Sequence, residues 1–181
     1  KTQFGDSLKN KSEAYLFGVY LGDGCCSKFT GHYNFSLVSI DKDVVERTRL
    51  IVNNLFNKSY LLKICKPNKS ELYFFKAWTK SLFNFLVLGT QNKSKLPEFV
   101  INSDSRIKAE FISGLMDTDG YISTGKNILG QQRYSLGFVN SGKWIDEFIL
   151  LLKNSGVKVG KKTLKKKYRS INEKDCYQIN I

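Results

Sequence analysis

The segments AYLFGVYLGDG at residues 14–24 and EFISGLMDTDG at residues 110–120 superimpose without gaps. The alignment pairs Gly18 with Gly114 and Asp23 with Asp119, and the two copies lie 96 positions apart. A repeat at this distance is typical of an internal duplication, in which each copy is about the size of one small domain. The chain of 181 residues therefore consists of two related halves.

The segments that follow each motif also repeat in the same order. After the first motif come YNFSLVSI, DKDVVERTRLIVNNLF, KSYLLKIC and ELYFFKAW, and after the second come RYSLGFV, GKWIDEFILLLKNSG, KKTLKKKYR and CYQINI. Alternating apolar and polar residues predict strands, whereas apolar residues three and four apart predict helices. We therefore predict an α+β fold with two pseudo-symmetric α-β-β-α-β-β halves, each carrying an antiparallel sheet. The predicted halves are residues 1–90 and 109–181, and residues 91–108 are the linker.

The second half lacks a counterpart of the helix predicted for SLFNFLVLG, which closes the first half. We interpret this closing helix as missing or trimmed from the second half.

The charge of the chain favours nucleic acid as its partner. Lysine and arginine number 29 against 16 acidic residues, which gives a net charge of +13. Such a charge repels itself unless the partner is a polyanion. No apolar run approaches the roughly 20 residues that a bilayer requires, and residues 1–10 lack a signal-peptide pattern. We expect an intracellular protein that does not enter membranes.

The cysteines and the one histidine disfavour zinc. The four cysteines show no CxxC spacing, and His32 is the only histidine. A zinc site needs four such ligands at suitable spacing, so we expect four free thiols. Catalysis, if present, must use carboxylates and lysines.

Each motif carries small residues four positions apart, which share one face of a helix. These pairs are Gly18 with Gly22 and Gly114 with Thr118. Glycine within a helix is less stable than alanine by roughly 0.5–1 kcal/mol, so a close approach of another backbone would explain its presence. We predict that the two strips of small residues face each other and that the halves pack through the motif helices.

This packing would place Asp23 and Asp119 side by side at the helix ends. Two carboxylates there repel each other and the partial negative charge of the helix C-termini, so a cation is expected between them. Carboxylates together with the carbonyl oxygens of Gly22 and Thr118 suit Mg²⁺ or Ca²⁺, and also Mn²⁺, better than zinc. The alternative for a single copy is that Asp-Gly is only a turn that caps the helix.

The two motifs, LFGVYLGDG at residues 16–24 and ISGLMDTDG at residues 112–120, resemble those of the LAGLIDADG homing endonucleases of the single-chain, two-motif type. The resemblance implies that Asp23 and Asp119 bind divalent metal and that each drives hydrolysis of one DNA strand. Mg²⁺ is the implied cofactor, with Mn²⁺ able to substitute and Ca²⁺ supporting binding without cleavage. Leu21 departs from the family, since many members carry a second acid there, as Asp117 does in the second motif. That position normally faces away from the metals.

The family also places polar side chains and lysines near each metal. By position these match Asp41 and Lys42 in the first half, Asn140, Ser141 or Lys143 in the second, and Lys93 or Lys95 in the linker. An aspartate at position 41 departs from the glutamine or asparagine that is common there. Of the lysines, we assign Lys42 and Lys93 catalytic roles.

The polar faces of the two sheets are expected to form a saddle over double-stranded DNA, with side chains that read the major groove. The candidates in the first half are Ser27, Lys28, Asn34, Ser36, Lys63 and Lys76. Those in the second half are Arg133, Ser135, Lys165, Lys167, Arg169, Gln178 and Asn180.

The resemblance implies a double-strand break with short 3′ overhangs. Because both halves lie in one chain, we predict a monomer that recognises a long, imperfectly palindromic target. The alternatives are a maturase that binds its host intron RNA, and a DNA-binding protein of the same fold that does not cleave. Both motif aspartates are retained, which favours cleavage. The sequence does not distinguish an intron, an intein or a free-standing gene as the host element.

Overall fold

The computed structural model describes residues 3–65, 71–126, 128–165 and 175–181. In chain order the elements are α1 (Gln3–Leu21), β1 (Cys25–Phe29), β2 (His32–Ser39), α2 (Lys42–Phe56), β3 (Lys63–Cys65), β4 (Leu72–Ala77), α3 (Lys80–Gly89), α4 (Glu98–Ile101), α5 (Ser105–Asp119), β5 (Gly120–Lys126), β6 (Gln132–Asn140), α6 (Ile145–Asn154), β7 (Thr163–Lys165) and β8 (Cys176–Asn180). The α-β-β-α-β-β order occurs twice, so the predicted fold class is confirmed. Helix α5 begins at Ser105, inside the segment predicted as linker.

Each half contains one four-stranded antiparallel sheet with the same strand order. The orders are β1-β2-β4-β3 and β5-β6-β8-β7. Thr30 and Gly31, both with positive φ, form the tight turn between β1 and β2. The turn between β5 and β6 spans more residues, so the two hairpins differ in length.

One face of each sheet packs against helices and forms the core. Phe35 and Phe75 of the first sheet are fully buried, as are Phe138 of the second sheet and Phe148 of α6. The rings of Phe138 and Phe148 pack with centroids 4.8 Å apart. Aromatic side chains of this size bury large areas, so these contacts account for much of the stability of each half.

The two halves are joined where α1 packs against α5, a contact that we call the helix seam. A Cβ atom on Gly18 would lie 2.3 Å from the carbonyl oxygen of Phe111, and one on Gly114 would lie 2.3 Å from the carbonyl oxygen of Tyr15. Real Cβ atoms do not approach backbone that closely, so glycine is required at both positions. The prediction that the small residues face each other is confirmed.

The four thiols are free, as expected. In the described part of the chain, no helix combines the length and the apolar character needed to cross a bilayer.

Candidate metal centre and nucleic-acid interface

The two motif aspartates meet at one end of the helix seam. Helix α1 ends at Leu21, two residues before Asp23, whereas Asp119 is the last residue of α5. Gly22 lies between them, because a Cβ atom on Gly22 would be 2.7 Å from Oδ2 of Asp119 and closer still to the hydroxyl of Thr118. The absence of a side chain at Gly22 therefore lets the two carboxylates share one site.

Asp119 is the more enclosed of the two carboxylates. Burial raises its pKa to about 6, and the nearby charge of Asp23 also raises it. The Nδ2 group of Asn140 donates a hydrogen bond of 2.9 Å to Oδ2 of Asp119. This hydrogen bond and the charge of Lys93 lower the pKa of Asp119 and so oppose the effect of burial. Repulsion between the carboxylates together with burial makes the site favourable for a cation.

Asp23 faces the cleft and is more exposed than Asp119. Desolvation raises its pKa, and the positive charge of Lys93 lowers it. The two aspartates therefore occupy matching positions in the sequence but different surroundings.

Lys93 supplies the positive charge at this site. Its Nζ atom donates a hydrogen bond of 3.0 Å to the carbonyl oxygen of Gly22 and lies 5.0 Å from the centre of the Tyr20 ring. Burial lowers the pKa of Lys93, while the charges of Asp119 and Asp23 raise it. Lys95, the other linker candidate, is exposed and does not line the cleft.

A left-handed turn presents Lys93 to the aspartates. Gln91, Asn92 and Lys93 have φ angles of 46°, 55° and 61°. The buried hydroxyl of Thr90 accepts a hydrogen bond from the backbone N–H of Lys93 and donates one to the carbonyl oxygen of Leu86. Each left-handed residue other than glycine costs roughly 1–2 kcal/mol, and such strain concentrates at functional sites. No sequence pattern signals this turn, because it lacks glycine.

The oxygen atoms at the site fit a hard divalent cation. Asp23 and Asp119 offer the carboxylate oxygens that Mg²⁺, Ca²⁺ and Mn²⁺ prefer, whereas the carbonyl oxygen of Gly22 accepts the hydrogen bond from Lys93 and its role as a ligand stays a prediction. Within the described ranges, no group of three or more cysteine, histidine, aspartate or glutamate side chains is placed to hold a metal ion. The hydroxyl of Thr118 donates hydrogen bonds to carbonyl oxygens of its own helix. That the main-chain carbonyl of Thr118 binds the cation stays a prediction.

The predicted role of Asp41 is wrong. Its carboxylate caps the N-terminus of α2, where Oδ1 accepts hydrogen bonds from the backbone N–H groups of Asp43 and Val44. Its own N–H donates to the hydroxyl of Ser39, just as the N–H of Gly142 donates to Oδ1 of Asn140. Ser39 is therefore the counterpart of Asn140, and its shorter side chain makes no contact of the kind that joins Asn140 to Asp119.

The predicted catalytic role of Lys42 stays a prediction. Lys42 is the first residue of α2, is exposed and lies outside the cleft. A hydrogen bond from Arg49 lowers the pKa of Glu46, and the charge of Lys42 adds to this effect.

Asp117 faces away from the site, in agreement with its expected orientation. The hydroxyl of Tyr15 donates a hydrogen bond of 2.9 Å to Asp117, and Arg47 lies 3.7 Å from the same carboxylate. Leu21, at the equivalent position of α1, is buried in the core.

A cleft of about 1220 Å³ opens above the aspartates. Its lining includes Asp23 and Lys93, together with Asn140, Ser141 and Lys143, which sequence reasoning named as alternatives. Further lining residues that sequence reasoning did not name include Asp146, Lys162 and Tyr177. The Nζ atom of Lys162 lies 2.5 Å from Oδ1 of Asp146 and 4.7 Å from the centre of the Tyr177 ring. Asp146 belongs to α6, Lys162 precedes β7 and Tyr177 belongs to β8, so no local pattern signals that they meet.

Strand register shows which of the predicted DNA-contact residues share a face of the first sheet. Residues directly opposite each other in an antiparallel pair point to the same side. By this rule the open face, on the side away from the helices, carries Ser27, Asn34, Ser36, Lys63 and Lys76. Lys28 pairs with Tyr33 on the helix side, and its Nζ atom lies 5.2 Å from the centre of the Tyr33 ring. The assignment of Lys28 to the open face is therefore wrong.

The second sheet places its predicted residues together. Its open face carries Arg133, Ser135, Lys165, Gln178 and Asn180. Lys167 and Arg169, which were also predicted to contact DNA, lie outside the described residues.

No model of a protein family matches the chain. Among curated proteins, it is 28% identical over 145 residues to an uncharacterized protein of Methanocaldococcus jannaschii, a match that covers 79% of this chain and 50% of that protein. It is also 26% identical to a probable translation initiation factor IF-2 of the same organism and 24% identical to the ribonucleoside-diphosphate reductase NrdEB subunit alpha of Bacillus subtilis. These two matches cover 94% and 61% of this chain but only 14% and 11% of the relatives. The chain thus spans half or less of the length of these proteins.

Solved structures match over nearly the whole chain. The structure of I-DmoI in complex with DNA and Mn has a TM-score of 0.61 and 17% identity, and the match covers 95% of this chain and 89% of that one. Mesophilic variants of I-DmoI, a homing endonuclease, match as well. The N-terminal LAGLIDADG domain of DUF199/WhiA matches with a TM-score of 0.54 and 16% identity, over 96% of this chain and 76% of that domain. Two antiparallel four-stranded sheets in pseudo-symmetric halves, joined by glycine-packed motif helices, give this chain the LAGLIDADG fold.

Proposed function

We propose that this chain is a site-specific, divalent-metal-dependent DNA endonuclease of the homing type. One observation carries the proposal: Asp23 and Asp119, from opposite halves, meet at the end of the helix seam beside Lys93. The partly buried carboxylate of Asp119 and the more exposed one of Asp23 repel each other, and Lys93 offsets only one of their two charges, so the arrangement favours a bound cation.

Double-stranded DNA is the substrate that best fits the surfaces around this site. The chain carries a net charge of +13, and each sheet presents an open face with polar and basic side chains. The seam places one carboxylate from each half close together, which suits two phosphates that face each other across a minor groove about 6 Å wide. The likeness to I-DmoI, which has been solved with DNA and Mn, supports the same partner.

In this proposal Asp23, Asp119 and the carbonyl of Gly22 hold the cation. When bound, Mg²⁺ polarises the phosphodiester, lowers the pKa of an attacking water and stabilises the leaving oxygen. Asn140 fixes one oxygen of Asp119 by its hydrogen bond, and Lys93 places a positive charge where negative charge develops on the phosphate. We propose Mg²⁺ as the working ion, with Mn²⁺ as a substitute and Ca²⁺ as an ion that supports binding alone.

The curated matches support a mobile element. An initiation factor and a reductase subunit have unrelated names, yet a small fraction of each resembles this chain. A segment shared by otherwise unrelated proteins is expected of an element that inserts into different genes. Because both halves of the site lie in one chain, we propose that it acts as a monomer on an imperfectly palindromic target.

The test begins with a target selected by binding from a randomised duplex library in Ca²⁺. Asp23→Asn and Asp119→Asn keep the size of the side chain but remove the charge that holds the cation. Each should lower the rate of double-strand cleavage in Mg²⁺ by at least about 100-fold, with one nicked strand as the most that either variant produces. Binding in Ca²⁺ should still be measurable, because the sheet faces are unchanged.

Asp117→Asn is the matched control, since this carboxylate lies two residues from Asp119 and contacts Tyr15 and Arg47 instead of the site. It should cleave normally. Cleavage of both strands at the normal rate by Asp119→Asn would contradict the proposal.

A DNA-binding protein that does not cleave is the second candidate. It is favoured by the likeness to the LAGLIDADG domain of DUF199/WhiA, which shows that the fold also occurs outside structures described as homing endonucleases. Such a protein would bind duplex DNA equally well with or without the two aspartates and would cut neither strand in Mg²⁺ or Mn²⁺. An intron-RNA maturase would instead prefer folded RNA over the selected duplex.

A further inference from the structure

The open face of the first sheet carries exposed aromatic side chains that the candidate metal centre does not use. Phe29 pairs with His32 across β1 and β2, and Trp78 follows the end of β4. Phe29 is 75% exposed and Trp78 is 56% exposed. The rings of His32 and Trp78 meet edge to face with centroids 6.4 Å apart. We call Phe29, His32 and Trp78 the aromatic patch.

The patch surrounds a depression of about 630 Å³. Asn34 lies within its lining, is only 5% exposed, and its Nδ2 group donates a hydrogen bond of 2.7 Å to the hydroxyl of Ser27. Lys76 also lines it, with Nζ 4.7 Å from the centre of the Trp78 ring. The depression therefore combines exposed rings with a positive charge beside them.

The second sheet differs at the equivalent positions. Arg133 stands where the first sheet has His32, and Gly125 stands where it has Phe29. On the described part of this face the ring is Tyr121, and its hydroxyl accepts a hydrogen bond from Nε2 of Gln178 and lies 3.4 Å from Oδ1 of Asn180. This face offers guanidinium, amide and hydroxyl groups, with Ile128 and Leu129 exposed beside Arg133, whereas the first face adds three rings to its polar and basic side chains.

We propose that the aromatic patch selects thymine in one half of the target by contacting its methyl groups, while the second sheet reads the other half by hydrogen bonds. The inference rests on the proposed function and on the expectation from the sequence that both open faces read the major groove. Thymine is the base that presents a methyl group there, and apolar side chains recognise it by contact. Arginine and amide side chains instead recognise guanine and adenine through paired hydrogen bonds. The two half-sites should therefore differ in composition.

The experiment measures binding in Ca²⁺, so that it does not depend on cleavage. Duplexes selected from a randomised library are sequenced, and the thymines of each half-site are then replaced by uracil, which lacks only the methyl group. In one half-site each replacement should weaken binding about fourfold, as expected for one buried methyl group. In the other half-site the replacements should change affinity less than about twofold.

Variants assign this effect to the patch. Phe29→Ala and Trp78→Ala remove exposed rings, so folding should be preserved, and both should abolish the difference between thymine and uracil. Tyr134→Ala is the matched control, because Tyr134 is 70% exposed but lies on the opposite face of the second sheet. It should leave the discrimination intact.

Two results would overturn the inference: equal affinity for thymine and uracil in both half-sites, or unchanged discrimination in both patch variants. In each of these cases selected duplexes are still bound, so the proposed function survives. Failure of the library to enrich any duplex would overturn the proposed function together with this inference.

Discussion

The helix seam and the cleft at its end differ in how closely the two halves match. At the seam, a Cβ atom added to Gly18 or to Gly114 would meet a carbonyl oxygen of the opposite helix at the same distance of 2.3 Å. At the cleft, the equivalent aspartates have different surroundings. Asp119 is more enclosed and accepts a hydrogen bond from Asn140, whereas Asp23 is more exposed, and the charge of Lys93 acts on both.

The two regions differ because helix packing restricts the sequence more tightly than cation binding does. Close approach of two backbones requires glycine on both sides, so the repeat is retained in the seam. A cation site requires only enough oxygen atoms and charge, so the residues around the carboxylates can diverge. We therefore expect the two strands of the target to be cut at unequal rates.

The largest effect should come from the seam. Gly18→Ala and Gly114→Ala each push α1 and α5 apart, so each should lower the free energy of unfolding by about 3 kcal/mol. The two losses should be similar, because the two glycines occupy equivalent positions. Urea denaturation measures this. Gly125→Ala is the control, since a Cβ atom there meets nothing within 4 Å, and its effect should stay below about 0.5 kcal/mol. Unequal losses in the two seam variants would contradict the symmetry.

The next effect concerns the carboxylates without metal. The pKa of Asp119 is raised to about 6 in the folded protein, so the folded state holds a proton that the unfolded state releases near pH 4. Its contribution to stability therefore falls as pH rises from about 4 to 6. At pH 8 in EDTA, Asp119→Asn should raise the free energy of unfolding by about 2 kcal/mol.

Asp23→Asn, at the more exposed position, should raise the free energy of unfolding by less than Asp119→Asn does. Stability curves of the wild type and the Asp119 variant that run parallel between pH 4 and 8 would contradict this assignment.

A smaller effect should separate the two strands. Asn140→Ala removes the hydrogen bond to Asp119 and should lower cleavage at pH 7 about tenfold, mainly in one strand. Loss of the donor raises the pKa of Asp119 further, so activity should recover partly at higher pH. Differently labelled strands of the selected duplex measure the two rates separately. Ser39→Ala, the equivalent change in the first half, should have little effect, and equal slowing of both strands in Asn140→Ala would argue against separate roles.

The smallest effect concerns the turn that presents Lys93. Gln91 has a φ of 46°, which glycine adopts without strain, so Gln91→Gly should raise the free energy of unfolding by about 1 kcal/mol. Thermal or urea denaturation measures the change. Lys95→Gly, at a position outside the left-handed run, should instead lower stability by a few tenths of a kcal/mol. Destabilisation by both changes would show that the turn is not strained.

The fold was predictable because its main determinants are local or repeated. The glycines of the seam, the two Asp-Gly motifs and the order of the elements are all visible in the sequence. The surroundings of the aspartates were predictable only in part. Position in the repeat matched Asp41 and Lys42 to Asn140, Ser141 or Lys143, whereas the structure makes Ser39 the counterpart of Asn140.

Two other predictions went beyond what a local pattern can specify. Adjacent residues of a strand point to opposite sides, so Ser27 and Lys28 could not both lie on the open face. The choice between Lys93 and Lys95 depended on three left-handed residues without glycine, which sequence patterns do not reveal. Both cases turn on the conformation of a few residues rather than on composition.

The helix seam also bears on recombination. Its closest contacts join main-chain atoms of one helix to glycines of the other, so they do not depend on which side chains the partner carries. A half of this chain should accordingly tolerate a foreign half whose motif helix keeps glycine at the positions of Gly18 or Gly114. New pairs of half-sites can then arise by exchange of whole halves, provided that side-chain contacts across the seam, such as the hydrogen bond from Tyr15 to Asp117, are matched.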